Sequence, residues 1–460
     1  MRLRMGTVVA VIAIALAAGA PAAVAGSGGH GKAQKVLVVC KHGCKYATIH
    51  AAVKAVTDGT DSVIKIRPGV YHEGVTLVGH KYDGLSFVGA SGDPHDAVFD
   101  GRQAKLNGTN QVAQNGIDAT NVNNLTIQSL WARRFQTNGF FVHGDNGTTN
   151  CKGFLMKNDL ASFNRSYGLF AKRCIGGRIT QSTGWGHGDS AIYIGETPPQ
   201  AQPRWTQIDH DKAYENVLGY SGTNSKYVNI HDSEFFNNGA GVVPNTLDSE
   251  LFQPNANGII KNNKIFWNNF NYFLPNSPVK TVSGGLGHIG NATINYPTGV
   301  GVILFGSTGW VVKENKIFGN FKWGAAAFSD PFNTSATNEN NHFVDNTMGR
   351  NGTDTNQFDF FHDGSGKGTC FRGNSSSTFF RASDASHSLA FLYPTCPAPN
   401  KGTGSNQGDG ASNFTGQVGE LAGYVLSDPP CSQQDSWAQH SHPAFEGITP
   451  IDTQDFGTCQ

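Results

Sequence analysis

A short segment of this chain occurs twice and defines a repeat. Lys261–Phe266 reads KNNKIF and Lys313–Phe318 reads KENKIF, so the copies lie 52 residues apart (313 − 261). Weaker copies share a pattern of an apolar residue, a variable residue and then short polar residues. The apolar positions are Ile127, Met156, Ile179, Ile208, Ile230, Ile260, Val312, Phe343 and Phe371, with spacings of 29, 23, 29, 22, 30, 52, 31 and 28 residues. Repeats of roughly 20–50 residues indicate a solenoid, a propeller or an array. The interval of 52 residues fits either two repeats or one repeat with a large insertion.

Strand-like alternation fills the repeat, and helical periodicity is absent from it. Tyr227–His231 and Ala191–Gly195 both alternate with a period of two residues. A short polar residue follows each apolar position by three residues, and such residues favour bends. These residues are Asp159, Ser182, Asp211, Ser233, Asn263, Asn315, Asn346 and Asn374. Short strands joined by polar bends predict a parallel β-helix, in which each turn pairs with the next about 4.8 Å away.

Composition narrows the class of partner. The chain has 460 residues, 58 glycines, 15% charged residues and a formal net charge of zero. A protein with a net charge of zero does not attract a polyanion over long distances, so nucleic acid is disfavoured as a partner. A local basic strip could still hold an acidic polysaccharide.

The N-terminus has the pattern of a secretory signal peptide. Arg2 and Arg4 precede an apolar run from Thr7 to Ala20, and small residues follow at 23–25. We expect residues 1–25 to be removed and the protein to be secreted. The alternative, a membrane anchor, needs about 20 apolar residues, and this run is shorter. No other segment has the character of a membrane span.

Eight cysteines in an exported chain predict disulfides. Eight cysteines allow 105 pairings, so the sequence alone leaves the connectivity open. Spacing favours Cys151 with Cys174, which lie 23 residues apart, the length of one short repeat. Proximity favours three further pairs: Cys40 with Cys44, Cys370 with Cys396, and Cys431 with Cys459.

The N-terminal part of the mature chain resembles a known group. Tyr46–Val56 reads as a short amphipathic helix, and Ser62–Arg67 reads as a strand that ends at Pro68-Gly69. Together with Val70-Tyr71 and Glu73, this string resembles the opening of secreted right-handed parallel β-helix proteins of the pectin-lyase-like superfamily, including pectin esterases and the NosD-like group. In those families the helix caps the end of the coil, which shields an exposed strand edge.

Three further segments extend the resemblance. Asp189–Gly195, Leu218–Asn224 and Gly241–Glu250 are similar to a group of actinobacterial exported β-helix proteins. The resemblance implies an all-β fold, a single right-handed parallel β-helix, and says little about chemistry. The expected organisation is a cap with the first turns over 26–100 and the coil over 101–380. Residues 381–460, which lose the repeat, are expected to form a disulfide-stapled, loop-rich extension.

A packed interior leaves the outer face of the coil for function. The second strand of each repeat places Phe141, Phe170 and Tyr193 in one outward row, beside His143 and Lys172. Sugars bind by laying apolar faces on such rings, so the row suggests a sugar platform. Coverage of the rings by long loops or by the C-terminal segment is the alternative.

Long insertions follow the same strand type and are expected to wall a groove beside the row. The candidate catalytic groups are Asp189, His187, Tyr193, Glu196, Asp248, Glu250 and Lys172. The candidate substrate-binding residues are Phe141, Phe170, Tyr220, Asn224 and Asn245. A lyase or epimerase acting on a uronate needs a base at C5, an acid and a cation, and Tyr193, His187 and Lys172 are of suitable types. A hydrolase needs two carboxylates at a suitable separation. Each acid taken singly is also an ordinary solvated loop residue.

A second polar group is expected on another sheet. Asp209, His231 and Lys261 lie just past three apolar positions and are expected to be neighbours, with a structural ion pair as the favoured reading.

Two functions stay open at this point. One is a secreted enzyme that processes an extracellular polysaccharide, as lyase or epimerase before hydrolase. The other is a non-catalytic surface or matrix protein that binds a glycan or a protein. No motif indicates a cofactor or a metal, calcium stays open, and a monomer is expected.

Overall fold

The computed structural model describes residues 34–145, 150–272, 274, 276, 277, 279, 296–329, 336–350, 354–363, 366–375, 394–397 and 444–451. Within these ranges the chain forms three long sheets of 12, 10 and 11 strands, in which every strand pairing between neighbours is parallel. Each turn contributes one strand to each sheet. The fold is therefore the predicted all-β parallel β-helix.

The strands are grouped here by sheet. Sheet 1 contains Lys35–Val39, Ser62–Ile66, Ser86–Gly89, Leu125–Gln128, Phe154–Lys157, Gly177–Thr180, Thr206–Asp209, Val228–His231, Ile259–Lys261, Val311–Lys313, His342–Val344 and Cys370–Arg372. Sheet 2 contains Gly69–Tyr71, Ala97–Asp100, Trp131–Arg133, Leu160–Ser162, Thr183–Trp185, Lys212–Tyr214, Glu234–Phe236, Lys264–Phe266, Lys316–Phe318 and Thr347–Met348. Sheet 3 contains Glu73–Val78, Lys105–Leu106, Ile117–Thr120, Phe140–His143, Leu169–Lys172, Ser190–Gly195, Leu218–Thr223, Ala240–Asn245, Val300–Phe305, Trp323–Phe328 and Phe358–His362. Cys151–Lys152 and Cys174–Ile175 form a small additional sheet.

The repeat read from the sequence sets the register of sheet 1. Every apolar position of the repeat pairs with the next one, from Ile127 with Met156 through to Phe343 with Phe371. Ile260 pairs directly with Val312, so the interval of 52 residues is one turn with an insertion. These side chains are buried in the coil, where they form one continuous apolar core.

The predicted ladder of polar bends is present along the corner that follows sheet 1. The backbone N–H of Asn263 donates to Oδ1 of Asn315 at 2.9 Å, and the amide of Asn263 donates to the same oxygen at 3.0 Å. The backbone N–H of Asp159 donates in the same way to Ser182 Oγ at 3.1 Å. The ladder thus satisfies polar groups that would otherwise be buried without partners.

A second ladder, which the sequence reasoning missed, runs along the corner between sheets 2 and 3. Its members are Asn164, His187, Asn216, Asn238, Asn268, Asn320 and Asn356. In six successive turns they lie five residues after a member of the first ladder, and this spacing was the available signal.

The predicted cap helix is shorter than the sequence pattern suggested. It spans Ile49–Lys54, and Thr48 caps it by accepting the N–H of Ala51 through its side chain. The carboxylate of Glu73 accepts two more N–H groups of the first turn. A short 3₁₀ helix spans His80–Tyr82.

Three of the four predicted disulfides are confirmed: Cys40–Cys44, Cys151–Cys174 and Cys370–Cys396. Cys151 and Cys174 are paired neighbours on adjacent turns with a Cα–Cα distance of 4.5 Å, as the repeat length predicted. Cys431 and Cys459 lie outside the described residues, as do the predicted signal peptide and most of residues 381–460.

The segment 444–451 lies against the outer face of sheet 2. Phe445 contacts the rings of Phe266 and Phe318 edge-on, with centroid distances of 5.3 and 5.0 Å. Asn237 donates its amide to Thr449 O at 3.0 Å, and Lys264 forms an ion pair with Glu446. The segment thereby covers part of a row of stacked aromatic rings on that face.

Candidate functional site

The outward row predicted on sheet 3 is observed. Phe141 pairs with Phe170 and Phe170 pairs with Tyr193 on successive strands. Their neighbours Phe140 and Val142 belong to the interior core, whereas the three rings form a separate cluster outside it. The geometric basis of the functional prediction therefore holds.

The rings do not form an open sugar platform. Phe141 stacks on Phe170 and on His143, each at a centroid distance of 4.1 Å. Tyr193 meets the ring of Phe170 edge-on, and Phe170 and Tyr193 are only 6% and 3% exposed. Because the ring faces contact one another, the structure corrects the expectation that sugars lie on Phe141 and Phe170. Phe170 and Tyr193 are thus buried, with ring contacts to each other and to Tyr167, whereas Phe141 stays partly exposed.

An ion-pair network lies at the end of this row, where Lys172 reaches two acids. Lys172 Nζ is 3.1 Å from Glu196 Oε1 and 3.7 Å from Glu250 Oε2. Arg173 forms a second ion pair with Glu196. Arg173 and Glu196 have φ values of 57° and 46°, so the chain bends where both strands end and turns these side chains toward each other. Glu196 is buried, while Lys172 and Glu250 are about a quarter exposed, at 24% and 23%.

The loop that carries Glu250 is held in place by Asn224. The Asn224 amide donates to Leu247 O at 2.9 Å and to Glu250 O at 3.0 Å, and its oxygen accepts the N–H of Leu247 at 3.1 Å. Asn224 is fully buried, and both of its amide protons are used. The structure therefore places Asn224 as a support for the loop, which corrects its predicted role as a substrate ligand.

Asn245 is likewise placed away from a ligand. Its amide contacts Ser221 Oγ at 3.4 Å and Val243 O at 3.3 Å, and the side chain is buried. Its predicted role in binding substrate is corrected for the same reason.

The two acids on Lys172 have opposite pKa shifts. Burial alone would raise the pKa of Glu196, but the hydrogen bond from Arg173 and the charge of Lys172 outweigh burial and lower it. Burial raises the pKa of Glu250, and Glu196 adds to this effect against the opposing charge of Lys172. The Tyr193 hydroxyl donates to Glu250 Oε2 at 3.4 Å. The network thus combines a carboxylate that stays charged with a partly exposed carboxyl that holds its proton more tightly.

Asp189 lies behind this network and is buried. Burial raises its pKa to about 8, and the charge of Glu250 acts in the same direction. Burial also raises the pKa of Tyr167 and of Tyr193 far above the ordinary value. Since Tyr193 keeps its proton and is buried, its predicted role as a base is corrected to one of orienting Glu250.

A carboxylate–histidine pair occupies the more open end of the row. His143 Nε2 is 3.0 Å from Asp118 Oδ1, and the two side chains are 19% and 25% exposed. Thr120 Oγ1 lies 3.0 Å from the same nitrogen. The sequence reasoning had His143 in the outward row but missed Asp118, although Asp118 pairs with Phe141 and faces outward for the same reason.

Two predicted site residues lie where no substrate reaches them. His187 is a member of the second ladder: its ring accepts the N–H of Asn164 at 3.2 Å, and burial lowers its pKa to about 3. Tyr220 pairs with Ile192 and points into the core of the coil. The structure therefore corrects the acid–base role of His187 and the binding role of Tyr220. Asp248, by contrast, is exposed on the loop that holds Glu250.

The residues of the second polar group are neighbours, but Asp209 is buried and forms no ion pair with His231, so the exposed pair favoured from the sequence is not formed. Asp209, His231 and Lys261 are paired neighbours on sheet 1. Asp209 accepts two hydrogen bonds from the guanidinium of Arg178, both at 2.7 Å, and this contributes to a lowered pKa of about 2 despite burial. His231 contacts Asp232 instead, at 2.6 Å.

Metal-binding groups and membrane-spanning helices are both absent from the described ranges. No group of three or more His, Cys, Asp and Glu side chains there is placed to hold a metal ion. No helix among those residues has the length and apolar character needed to cross a bilayer.

The fold and this network define a parallel β-helix protein with a cluster of ionisable groups on the outer face of sheet 3. No protein-family model matches the chain, and no curated protein matches its sequence.

Several solved structures are similar to the chain. One is the A-module of the mannuronan C-5 epimerase AlgE4 of Azotobacter vinelandii, with 15% identity, 71% of this chain and 83% of that chain covered, and a TM-score of 0.45. Others are XylC in complex with xylose (11% identity, 69% and 70% covered, TM-score 0.42) and the catalytic domain of a GH87 α-1,3-glucanase (11% identity, 75% and 65% covered, TM-score 0.45). At these values no argument about function rests on the similarities.

Proposed function

We propose that this chain is a secreted protein that binds an extracellular polysaccharide on the outer face of sheet 3 and acts on its uronic acid residues as a lyase or C5-epimerase. The observation that carries the proposal is the placement of Lys172 between Glu196 and Glu250, with the hydroxyl of Tyr193 on Glu250. Three disulfides support an oxidising, extracellular location.

The chemistry of uronates requires the parts that this network offers. A base removes the proton at C5, and the electron pair of that bond moves into the adjacent carboxylate to give an enolate-like intermediate. A cation beside the carboxylate stabilises this developing charge. Loss of the substituent at C4 then gives an unsaturated product, whereas return of a proton on the opposite face gives the C5 epimer.

Each partly exposed group has a role in this proposal. Glu250, whose pKa is raised, is the proton acceptor, because an efficient base has a pKa close to the working pH. Lys172 faces the substrate carboxylate and also holds Glu250. Glu196 and Tyr193 are positioning residues, since both are buried and contact Lys172 or Glu250.

Hydrolysis by the same pair is less compatible with the geometry. The carboxyl groups of Glu196 and Glu250 contact the same ammonium, at 3.1 and 3.7 Å. Glycoside hydrolases separate their two carboxyl groups by about 5 Å or more, to leave room for the sugar or for a water molecule. Glu196 is in addition buried.

Hydrogen–deuterium exchange at C5 tests the proposal directly. Polyuronates such as polygalacturonate and alginate are incubated with the protein in heavy water, and deuterium at C5 is followed by NMR together with the absorbance of unsaturated product. Both lyase and epimerase activity begin with loss of the C5 proton, so one experiment covers both. Exchange by the wild-type protein that Glu250→Gln abolishes and Lys172→Met strongly reduces supports the proposal. Glu314→Gln, an exposed acid on the side of sheet 1, is the matched control.

A binding protein without turnover is the second candidate. The full use of the Asn224 amide and the burial of Glu196 favour it, because both are also what a rigid support for a binding loop requires. Retention of a polyuronate on the protein without C5 exchange, across the whole panel, would decide for this candidate.

A further inference from the structure

Three arginines surround one buried acid on sheet 2, away from the network just described. Asp100 is fully buried and accepts hydrogen bonds from Arg102 Nε at 3.1 Å and Nη2 at 3.0 Å. Arg133 Nε donates to Asp100 Oδ2 at 2.9 Å, and Arg134 Nη1 lies 3.6 Å from the same oxygen. Asp100 and Arg133 belong to neighbouring strands, and Arg134 follows at the corner toward sheet 3.

This cluster carries an excess of positive charge. Three guanidinium groups face one carboxylate, which leaves a formal charge of +2. Arg102 and Arg134 are 59% and 39% exposed, so part of this charge faces solvent. Burial lowers the pKa of Arg134, and the charges of Arg102 and Arg133 lower it further. The cluster is therefore one that a bound anion would stabilise.

Most of the guanidinium N–H groups in the cluster have no acceptor among the residues that the structure describes. Each guanidinium has five such groups, whereas Asp100 offers two oxygens. Arg133 uses only Nε in its hydrogen bond to Asp100, and Arg134 makes a single contact at 3.6 Å. Paired N–H groups of this kind match the two oxygens of a carboxylate.

A partly buried tryptophan, Trp131, lies next to the arginines, and its ring also contacts the ring of Trp185 at a centroid distance of 5.7 Å. The guanidinium of Arg133 lies 4.7 Å from the ring centroid of Trp131, whose Nε1 donates to Ser162 Oγ at 2.9 Å. This contact holds Arg133 in place and leaves the rest of the indole beside the charged groups. His95 meets the indole edge-on at 5.8 Å and is itself paired with Asp93 at 2.8 Å, so this nearby acid already has a partner.

We propose that Arg102, Arg133, Arg134 and Trp131 form a second glycan-binding surface that takes a carboxylated sugar of an acidic polysaccharide. The guanidinium groups bind the carboxylate, and the exposed part of the indole contacts the C–H groups of the same or the next sugar. The neutral net charge of the chain is compatible with this surface, since the positive charge is local. The surface is separate from the network around Lys172 and does not require turnover there.

Calorimetric titration with an oligogalacturonate at low and at moderate ionic strength tests this surface. We expect the double variant Arg102→Gln/Arg134→Gln to bind about tenfold more weakly than the wild type and to lose much of the salt dependence. Arg134→Gln alone, which removes only the contact at 3.6 Å, should show part of the loss if the double variant folds poorly. Arg372→Gln, an exposed arginine at the other end of the coil, is the matched control.

Three results would overturn the proposal: no binding by the wild-type protein, equal losses in Arg372→Gln and the double variant, or affinity for inorganic sulfate equal to that for the oligosaccharide. A neutral glucan should not bind. Lys172→Met separates the two proposals, because it should strongly reduce C5 exchange and leave binding at the arginine surface unchanged. If Lys172→Met loses most of its C5 exchange but still binds the oligogalacturonate, the result supports the arginine surface, and it does so independently of the enzymatic proposal.

Discussion

Asp211 accepts the backbone N–H of Ser182 through Oδ1 at 2.7 Å, in a ladder whose positions from Asn263 onward are asparagines. In those positions the amide supplies a donor as well: Asn263 Nδ2 donates to Ile230 O at 3.0 Å. Asp211 Oδ2 is buried and has no hydrogen-bond partner among the described atoms. A carboxyl group at this site therefore stabilises the fold most when it is protonated.

Replacing Asp211 with Asn should stabilise the protein increasingly as the pH rises above about 4. Burial raises the pKa of Asp211 well above its ordinary 3.8. Its contribution to stability is most favourable below the unfolded-state value and declines as the pH rises toward the folded-state value, by about 1.4 kcal/mol per pH unit. Denaturant titrations of wild type and Asp211→Asn from pH 4 to 8 measure the difference. Asn263→Asp should show the reverse effect, and parallel curves for both variants would contradict the explanation.

Replacing His187 with Asn should remove part of the acid sensitivity of the fold. Burial lowers the pKa of His187 from 6.5 to about 3. The stability due to the neutral ring is fully present above pH 6.5 and is lost as the pH falls toward 3. Melting temperatures measured across this window should fall more steeply with decreasing pH for the wild type than for the variant, because the variant lacks the penalty. A constant difference in melting temperature between wild type and variant across this pH range would mean that packing, and not protonation of His187, causes the difference.

Replacing Lys172 with Met should move the pH dependence of any C5 exchange to higher pH. Lys172 lies 3.7 Å from Glu250 and holds its pKa below the value that burial alone would set. If Glu250 must lose its proton to act, activity rises with pH, and loss of the cation shifts that rise upward. Residual exchange rates against pH give the shift, with Lys157→Met on sheet 1 as control. An unchanged midpoint of the curve of exchange rate against pH would contradict the role of Glu250 as the base.

Removing the disulfide between adjacent turns should cost more stability than removing the N-terminal one. Cys151 and Cys174 close a loop with a sequence separation of 23, whereas Cys40 and Cys44 are separated by 4. Chain entropy predicts a loss of about 3 kcal/mol for the longer loop and about 2 kcal/mol for the shorter. Guanidinium unfolding of the two double alanine variants compares them, and an inverted order would argue against the entropic account.

Sequence reasoning predicted the coil because its signal is periodic. The apolar positions and the first polar ladder recur with a spacing that only stacked turns satisfy, and both are observed. The same logic placed Phe141, Phe170 and Tyr193 outside the core.

The site was predicted less well because its details depend on groups that do not repeat. The path of the loop at 245–254 determines that Tyr193 is buried, and no periodicity sets that path. His187 was predicted to be an acid or base because histidine often has that role in enzymes. In the structure it occupies the position that asparagines occupy in other turns of the same ladder. Tyr220 shows that alternation must be tracked strand by strand, since Ser221 occupies the outward position.

The segment 444–451 gives the coil a contact that stacking alone does not provide. Each turn of a solenoid interacts only with its neighbouring turns, so such a fold can unfold turn by turn from one end. Asn237 and Thr449 are 212 residues apart in sequence, and Lys264 and Glu446 are 182 apart, yet both pairs are joined. Opening of the turns that carry Asn237, Lys264 and Phe318 therefore also requires the segment 444–451 to detach, so the segment should slow unfolding of this part of the coil.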